Sequence, residues 1–411
     1  MRPLPEIVEE VANFTNDSDT MFALLDALHR THALGNFEPL RRLGLILPRQ
    51  ALWPSLCAVL DARPGEVDLS PDVFDVLQLV PIASIRSRSL DTSSALVARL
   101  APVLPSMHHL RRLELTSLAD VTAVDPLFGA LPGSTITELV LEGVNEMHYR
   151  HDREQILSDV AVHGMSSWLE RSAKPTTLCL DKLVFQCALP VAERFMRALQ
   201  ESMLTSIQLH HCRHQMALAF PPTLVHLALS DTRSSAESEQ RVIDALGDPA
   251  SQLRTLDLSW YSMSSRTLSL LATSIPSSTL ILLDVSYTCL LDRGAVALAS
   301  SLPHTCLQDV HLGYNEITNV GGEMLATALK DAPTLRKLHL QGNFLGESGM
   351  AALVQVATTR PEPVEWVDLT NNDKFFFTAL VRVHAMYRRL SQQYSSTCVV
   401  LLDKCDLPQH E

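Results

Sequence analysis

The feature that most constrains this chain is a recurring apolar-x-x-apolar-x-apolar segment, which begins at Phe74, Leu110, Ile136, Pro175, Leu204, Leu224, Leu253, Leu280, Leu307, Leu335 and Val364. From Leu204 onward the starts are separated by 20, 29, 27, 27, 28 and 29 residues. Chance has no reason to hold the last five intervals so close. A fixed internal period implies an array of like units rather than one closed core, which also suits 411 residues, more than a single core usually serves.

Three units agree in finer detail: Thr288-x-Leu290-x3-Gly294, Asn315-x-Ile317-x3-Gly321 and Asn343-x-Leu345-x3-Gly349. Four residues after each glycine stands Leu298, Leu325 or Leu353, and four further on Leu302, Leu329 or Ala357. That spacing is one apolar stripe of a helix, so each unit reads as strand, turn and helix. One unit alone buries neither its strand nor its helix stripe; stacking the units buries both. Asn315, Asn343 and Asn372 at the strand exits are expected to satisfy turn amides that stacking shuts away from water. The earlier exits carry Leu118, Val144, Leu183, Cys212, Thr232 and Tyr261, so the Asn ladder is expected only in the later units.

Leu307-Gln-Asp-Val-His-Leu-Gly-Tyr-Asn-Glu-Ile and Leu335-Arg-Lys-Leu-His-Leu-Gln-Gly-Asn-Phe-Leu resemble leucine-rich repeats, and a period near 28 with a full helix resembles the ribonuclease-inhibitor-like subclass. The resemblance implies an α/β leucine-rich-repeat solenoid, a horseshoe with parallel strands on the concave face and helices on the convex face. It also implies a role in protein–protein recognition.

The expected division is a helical head over 1–65, a solenoid over 66–373 that is irregular before about 204, and a C-terminal cap over 374–411 built from a helix after Phe375 and a strand at Thr397–Leu402. The 39-residue interval from Ile136 to Pro175 implies an insertion, placed at the polar stretch Asn145–Gln155. In the head, Leu4-Pro-Glu and Leu52-Trp-x-x-Leu56 resemble the edges of an F-box, which docks on an adaptor of ubiquitin ligases. The alternatives are a plain helical cap shielding the end of the array and, for Leu40-Arg-Arg-Leu43-Gly-Leu45, an early repeat.

Lys plus Arg number 33 and Asp plus Glu 46, a net charge of −13, which argues against nucleic acid or an anionic membrane as partner. No apolar leader opens the sequence, and the longest uncharged stretch, Thr267–Leu283, holds Pro276 and is too short and polar to cross a bilayer. The eight cysteines form no C-x-x-C pair and fit a reducing compartment, the cytoplasm with the nucleus as alternative.

No phosphate loop, dinucleotide fingerprint, nucleophile elbow or H-E-x-x-H stands in the sequence, so neither catalysis nor a cofactor is expected. His210-His211-Cys212-x-His214 carries the right atoms for zinc, but adjacent strand residues point to opposite sides and no second ligand pair follows, so no metal is expected there. The expected site is a protein-binding surface. Its middle outward row is Asp257, Asp284, His311, His339 and Asp368, flanked by Thr255, Leu282, Asp309, Lys337 and Trp366. Trp260, Tyr261, Tyr287 and Tyr314 stand at the strand exits, where aromatic anchors in a polar surround favour interface hot spots. The competing readings are spacers packed on the next repeat and acidity that serves solubility. A protein ligand is expected, a basic one suiting the acidic row; a ubiquitin-ligase substrate-recognition subunit and a small-GTPase regulator are the alternatives.

Overall fold

The computed structural model of the chain describes residues 17–30, 34, 37–53, 57–59, 83–87, 93–118, 121–144, 155–171, 174–214, 216–232, 236–261, 263–361, 364–372, 377–394 and 396–403. Leu4-Pro-Glu, the unit at Phe74 and, but for Gln155, the insertion over 145–155 lie outside them. Two compact units divide the chain, residues 1–204 with 212–215 and residues 205–211 with 216–411. Both are mixed α/β, with strand alternating with helix and the strands parallel.

The first unit opens with helices α1 (Ser18–His29), α2 (Glu38–Leu43) and α3 (Arg49–Leu52). Asp17 caps α1 by accepting from the Thr20 amide at 2.8 Å. Leu40–Leu43 is helical, not the strand of an early repeat. Pro39 sits at the helix start, Glu38 in the first turn and Arg41 and Arg42 in the last, while Leu40 and Leu43 bury one face. Strands β1 (Cys57–Val59), β2 (Ser84–Ser87), β3 (Arg112–Leu118), β4 (Glu138–Gly143) and β6 (Thr177–Asp181) follow in parallel register. A separate pair joins β5 (Ile156–Leu157) to β7 (Val184–Phe185). Helices α4 (Ser93–Val103), α5 (Asp125–Ala130), α6 (Asp159–Leu169) and α7 (Leu189–Glu201) complete the unit.

In the second unit β8 (Ser206–His210), β9 (His226–Ala228), β10 (Thr255–Asp257), β11 (Leu282–Asp284), β12 (Asp309–His311), β13 (Lys337–His339), β14 (Trp366–Asp368) and β15 (Val399–Leu401) pair residue for residue. Every inward position of the later repeats, from Leu253, Leu256 and Leu258 to Val364, Val367 and Leu369, is buried. Each such side chain contributes about 1.5–3 kcal/mol relative to exposure. Helices α8 (Ala236–Gly247), α9 (Ser265–Ser274), α10 (Leu291–Ser301), α11 (Asn319–Lys330) and α12 (Glu347–Thr359) cover them with the expected stripe, Leu298, Leu325, Leu353 and Ala357 among the buried residues. The 20-residue step from Leu204 to Leu224 has a simple cause. Between β8 and β9 the described residues form no helix; Met216 and Leu218 are buried instead, and Pro221 starts a turn closed by the Leu224 amide at 3.1 Å. Helix α13 (Phe377–Tyr394) packs on α12, and β15 adds a last parallel strand.

The repeats also cap one another. Asp292 Oδ1 accepts from the Thr318 and Gly321 amides at 2.8 and 3.0 Å, at the start of the next helix. One repeat on, Asn319 Oδ1 accepts from Gly346 and Gly349 at 2.8 and 2.9 Å. A Cβ on Gly349 would lie 2.8 Å from that same oxygen, which explains the glycine of the template.

The Asn ladder forms as expected. Asn315, Asn343 and Asn372 are buried, and Asn343 alone accepts from the Asn315 and Ile317 amides at 2.9 and 3.0 Å and donates to the Leu312 and Leu340 carbonyls at 2.8 and 2.9 Å. Thr232 takes the same place with a single hydroxyl, donating to the Leu209 carbonyl at 2.8 Å, and Cys212 reaches the Leu180 carbonyl at 3.4 Å.

Candidate functional site

Parallel pairing fixes what shares the outward face of the second unit. Asp257, Asp284, His311, His339 and Asp368 are successive register partners, as are Thr255, Leu282, Asp309, Lys337 and Trp366, and every one is part-exposed or exposed. Sequence reasoning therefore placed both rows correctly in the strands. The aspartates have a second duty that it missed. Asp257, Asp284 and Asp368 accept from the amides two residues on, those of Ser259, Ser286 and Thr370, at 2.8, 2.8 and 3.0 Å, so each carboxylate also fixes its own strand exit. The Trp366 indole N–H is buried without an acceptor.

At the centre of the face the His311 and His339 rings stack with centroids 4.1 Å apart. Asp309 Oδ1 lies 3.0 Å from His311 Nε2 and 3.4 Å from His339 Nε2, while Asp284 Oδ2 is 3.6 Å from His311 Nδ1. Burial, reinforced by the neighbouring His311, holds the His339 imidazole below its usual pKa. Asp309 had stood only as a flanking residue; the signal for it was Asp309-x-His311 followed one repeat later by His339.

The strand-exit aromatics form a stack. Trp260 and Tyr287 lie with ring centroids 3.8 Å apart and planes 10° from parallel, Tyr287 and Tyr314 at 4.3 Å and 9°. All three residues are left-handed, with φ of 59°, 59° and 56°, a conformation that costs an L-residue roughly 1–2 kcal/mol. Two features offset it. The Trp260, Tyr287 and Tyr314 amides donate to the Ser286, Gly313 and Gln341 carbonyls of the next repeat at 2.9, 3.0 and 2.8 Å, and each ring contact adds about 0.5–1.5 kcal/mol. Gly342, φ 72°, ends the series, since a Cβ there would stand 2.3 Å from the Tyr314 ring. Trp260 and Tyr314 remain 56% and 38% exposed. Burial in the stack, with the Tyr314 hydroxyl adding, raises the Tyr287 phenol above its ordinary pKa.

Tyr261 is not part of that surface. It is 3% exposed and sits in the inward slot that Thr288 occupies one repeat later and Asn315 two repeats later, lining a small space with Leu258, Val242 and Leu271. Left-handed backbone at Trp260 turns consecutive residues to opposite sides, so only one of the two aromatics faces solvent.

The strand face of the first unit differs in charge. Arg86 pairs with Glu114 at 2.8 Å, Arg112 with Glu114 and Glu138 at 3.2 and 3.0 Å, and Lys182 with Glu142 and Asp181 at 2.6 and 3.3 Å. There four carboxylates face three cations, every one of them in an ion pair; in the two rows of the second unit four carboxylates face the single Lys337. As for the histidine-rich segment, Cys212 and His214 are buried, His214 edge-on to Phe185, and His211 is exposed. Among the described residues no helix is long and apolar enough to cross a membrane, and no disulfide joins the described cysteines.

Residues 304–326 and 331–354 match the leucine rich repeat family. These two segments, which carry β12 and β13, are leucine-rich repeats. No curated protein sequence matches the chain significantly. Solved structures with a likeness to it include an internalin of Listeria monocytogenes (13% identity, 89% of this chain and 88% of that one, TM-score 0.44). Rad7 in the yeast Rad7–Elc1 complex is another (13%, 98% and 91%, TM-score 0.45). Actin-binding site 2 of leiomodin-1 is a third (17%, 38% and 89%, TM-score 0.30). The pairing and packing of this chain's own repeats, rather than these likenesses, establish the fold.

Proposed function

We propose that this chain is a non-enzymatic recognition scaffold that holds a protein partner against the strand face between about Leu253 and Thr370. The observation that carries this reading is the exposed stack of Trp260, Tyr287 and Tyr314 beside a strand face with surplus carboxylates. Rigid aromatics lose little entropy on contact and anchor interfaces, and the acids select a basic partner and speed its approach. The first unit's strand face, with its charges paired and only one carboxylate in excess, has a smaller surplus. In this reading residues 1–65 form the head, 66–373 the repeats and 374–411 the cap. The repeats belong to the ribonuclease-inhibitor-like subclass, which their period near 28 favours.

Affinity capture from a native extract tests the proposal, with three baits: the parent chain, Trp260→Ala/Tyr314→Ala, and Asp257→Asn/Asp284→Asn/Asp368→Asn. The asparagines keep the turn acceptors and remove the charge. Proteins held by the parent and lost by both variants, with unchanged circular dichroism, support the strand face; the same proteins held by all three baits refute it. A ubiquitin-ligase adaptor in the parent capture that disappears when residues 1–60 are deleted would favour the F-box-like alternative.

A further inference from the structure

We propose that Asp309, His311 and His339 form a binding site for a divalent transition-metal ion such as zinc, with Asp284 orienting His311. Among the described residues these three are the group whose ligand atoms come together, all within 4.8 Å of one another. The repeat creates the arrangement. Asp309 and His311 are two apart on one strand and therefore share a face, and pairing sets His311 directly beside His339.

Two of the three donor spacings already fit an ion, and the stacked imidazoles need only swing apart for both lone pairs to meet it. Zinc bonds of ~2.0–2.1 Å in a tetrahedral shell put donor atoms ~3.3 Å apart. Asp309 Oδ1 already stands 3.0 and 3.4 Å from the two Nε2 atoms. That oxygen is buried and makes no hydrogen bond of good geometry, so its proximity to two imidazoles is otherwise poorly used. Lys337 Nζ approaches the other carboxylate oxygen, Oδ2, at 4.0 Å and leaves Oδ1 free for an ion. Behind His311, Asp284 Oδ2 stands 3.6 Å from Nδ1, beyond hydrogen-bond range but placed to close on that nitrogen once an ion holds the ring, as the carboxylate partners of metal-bound histidines do. Two imidazoles and one carboxylate select zinc and its neighbours over calcium or magnesium, and three protein ligands leave a position open to water or to a partner's side chain. This site stands independently of the protein-recognition reading.

Isothermal titration of Zn²⁺ into the chelator-treated full chain tests it, with part-exposed Cys57, Cys179 and Cys187, exposed Cys289 and Cys306, and Cys405 all changed to serine, which leaves only the buried Cys212 and Cys398. A single saturable equivalent is expected, with no heat from Ca²⁺, and Co²⁺ should give the intense visible bands of a four- or five-coordinate ion. His311→Gln/His339→Gln should abolish the equivalent, and Asp284→Asn should weaken it by about 10–100-fold. Asp309→Asn, which preserves shape, should weaken binding at least tenfold and decides the matter if the double variant fails to fold. Absence of a saturable equivalent in the parent overturns the proposal, as does an equivalent that survives unchanged in the folded variants.

Discussion

Replacing Asn343 by alanine isolates what one rung of the ladder is worth. The side chain is fully buried and makes four hydrogen bonds. Its loss strands the amides of Asn315 and Ile317 and the carbonyl of Leu312; the Leu340 carbonyl keeps a second donor, Asn372 Nδ2 at 2.8 Å. Three buried groups at ~1–3 kcal/mol each would cost ~3–9 kcal/mol if nothing moved. A water entering the vacated space recovers part of that, so a loss of ~3–5 kcal/mol is expected. Thr232→Ala removes one short hydroxyl–carbonyl contact, to Leu209, and should cost only ~1 kcal/mol. Urea unfolding followed by circular dichroism gives the two values. Because a repeat array unfolds in parts, hydrogen exchange at the flanking turns must accompany it, and Asn343→Ala should release the Asn315 and Ile317 amides first. A loss below ~1 kcal/mol, or equal losses for the two variants, would show that the ladder is not what holds the strand exits.

Two further outcomes follow from contacts between neighbouring repeats. Asp292→Ala removes the acceptor for the Thr318 and Gly321 amides and should cost ~1–2 kcal/mol, with exchange protection lost in the first turn of α11 rather than in α10; protection lost from α10 instead would contradict the relay. Gly342→Ala brings a methyl against the Tyr314 ring and strains a left-handed residue, so the near-ultraviolet dichroism of the aromatic stack should change while the far-ultraviolet spectrum does not; an unaltered near-ultraviolet signal would mean that the ring does not lie over that glycine.

Repeats after Leu253 were legible because every inward place holds Leu or Val, so the spacing of one residue type reports the fold. The same rule hid β1 and β2: in Ser84–Ser87 the apolar residue is Ile85, which is buried, and Ser87, the register partner of Leu115, stands where the pattern asks for a third apolar residue. Leu40–Leu43 left two readings open because two leucines three apart suit a strand template and a helix stripe alike, and Pro39 with the flanking charges decides for the helix. The outward rows could be read since period two follows from the strand alone. Their partners could not. The Arg112–Glu138 pair spans 26 residues and exists only through register, as does the meeting of Asp309 with His339. The aromatic stack was hidden for a different reason, because left-handed backbone at Trp260, Tyr287 and Tyr314 is a property of the turn and not of residues that ordinarily favour it.

That turn separates two jobs that most protein surfaces combine. At the strand exits the backbone bends left-handed at Ser117, Lys182, His211, Asp231, Trp260, Tyr287, Tyr314, Gly342 and Asn371, which are hydroxyl, amine, imidazole, carboxylate, aromatic, bare and amide tips on one geometry. Where the amide bonds run to the next repeat, as from His211 to Ser230 and from Asp231 to Ser259, they are made by the main chain and are indifferent to the tip. A socket of constant form with exchangeable contents lets such a chain acquire a new binding preference one position at a time without renegotiating its fold.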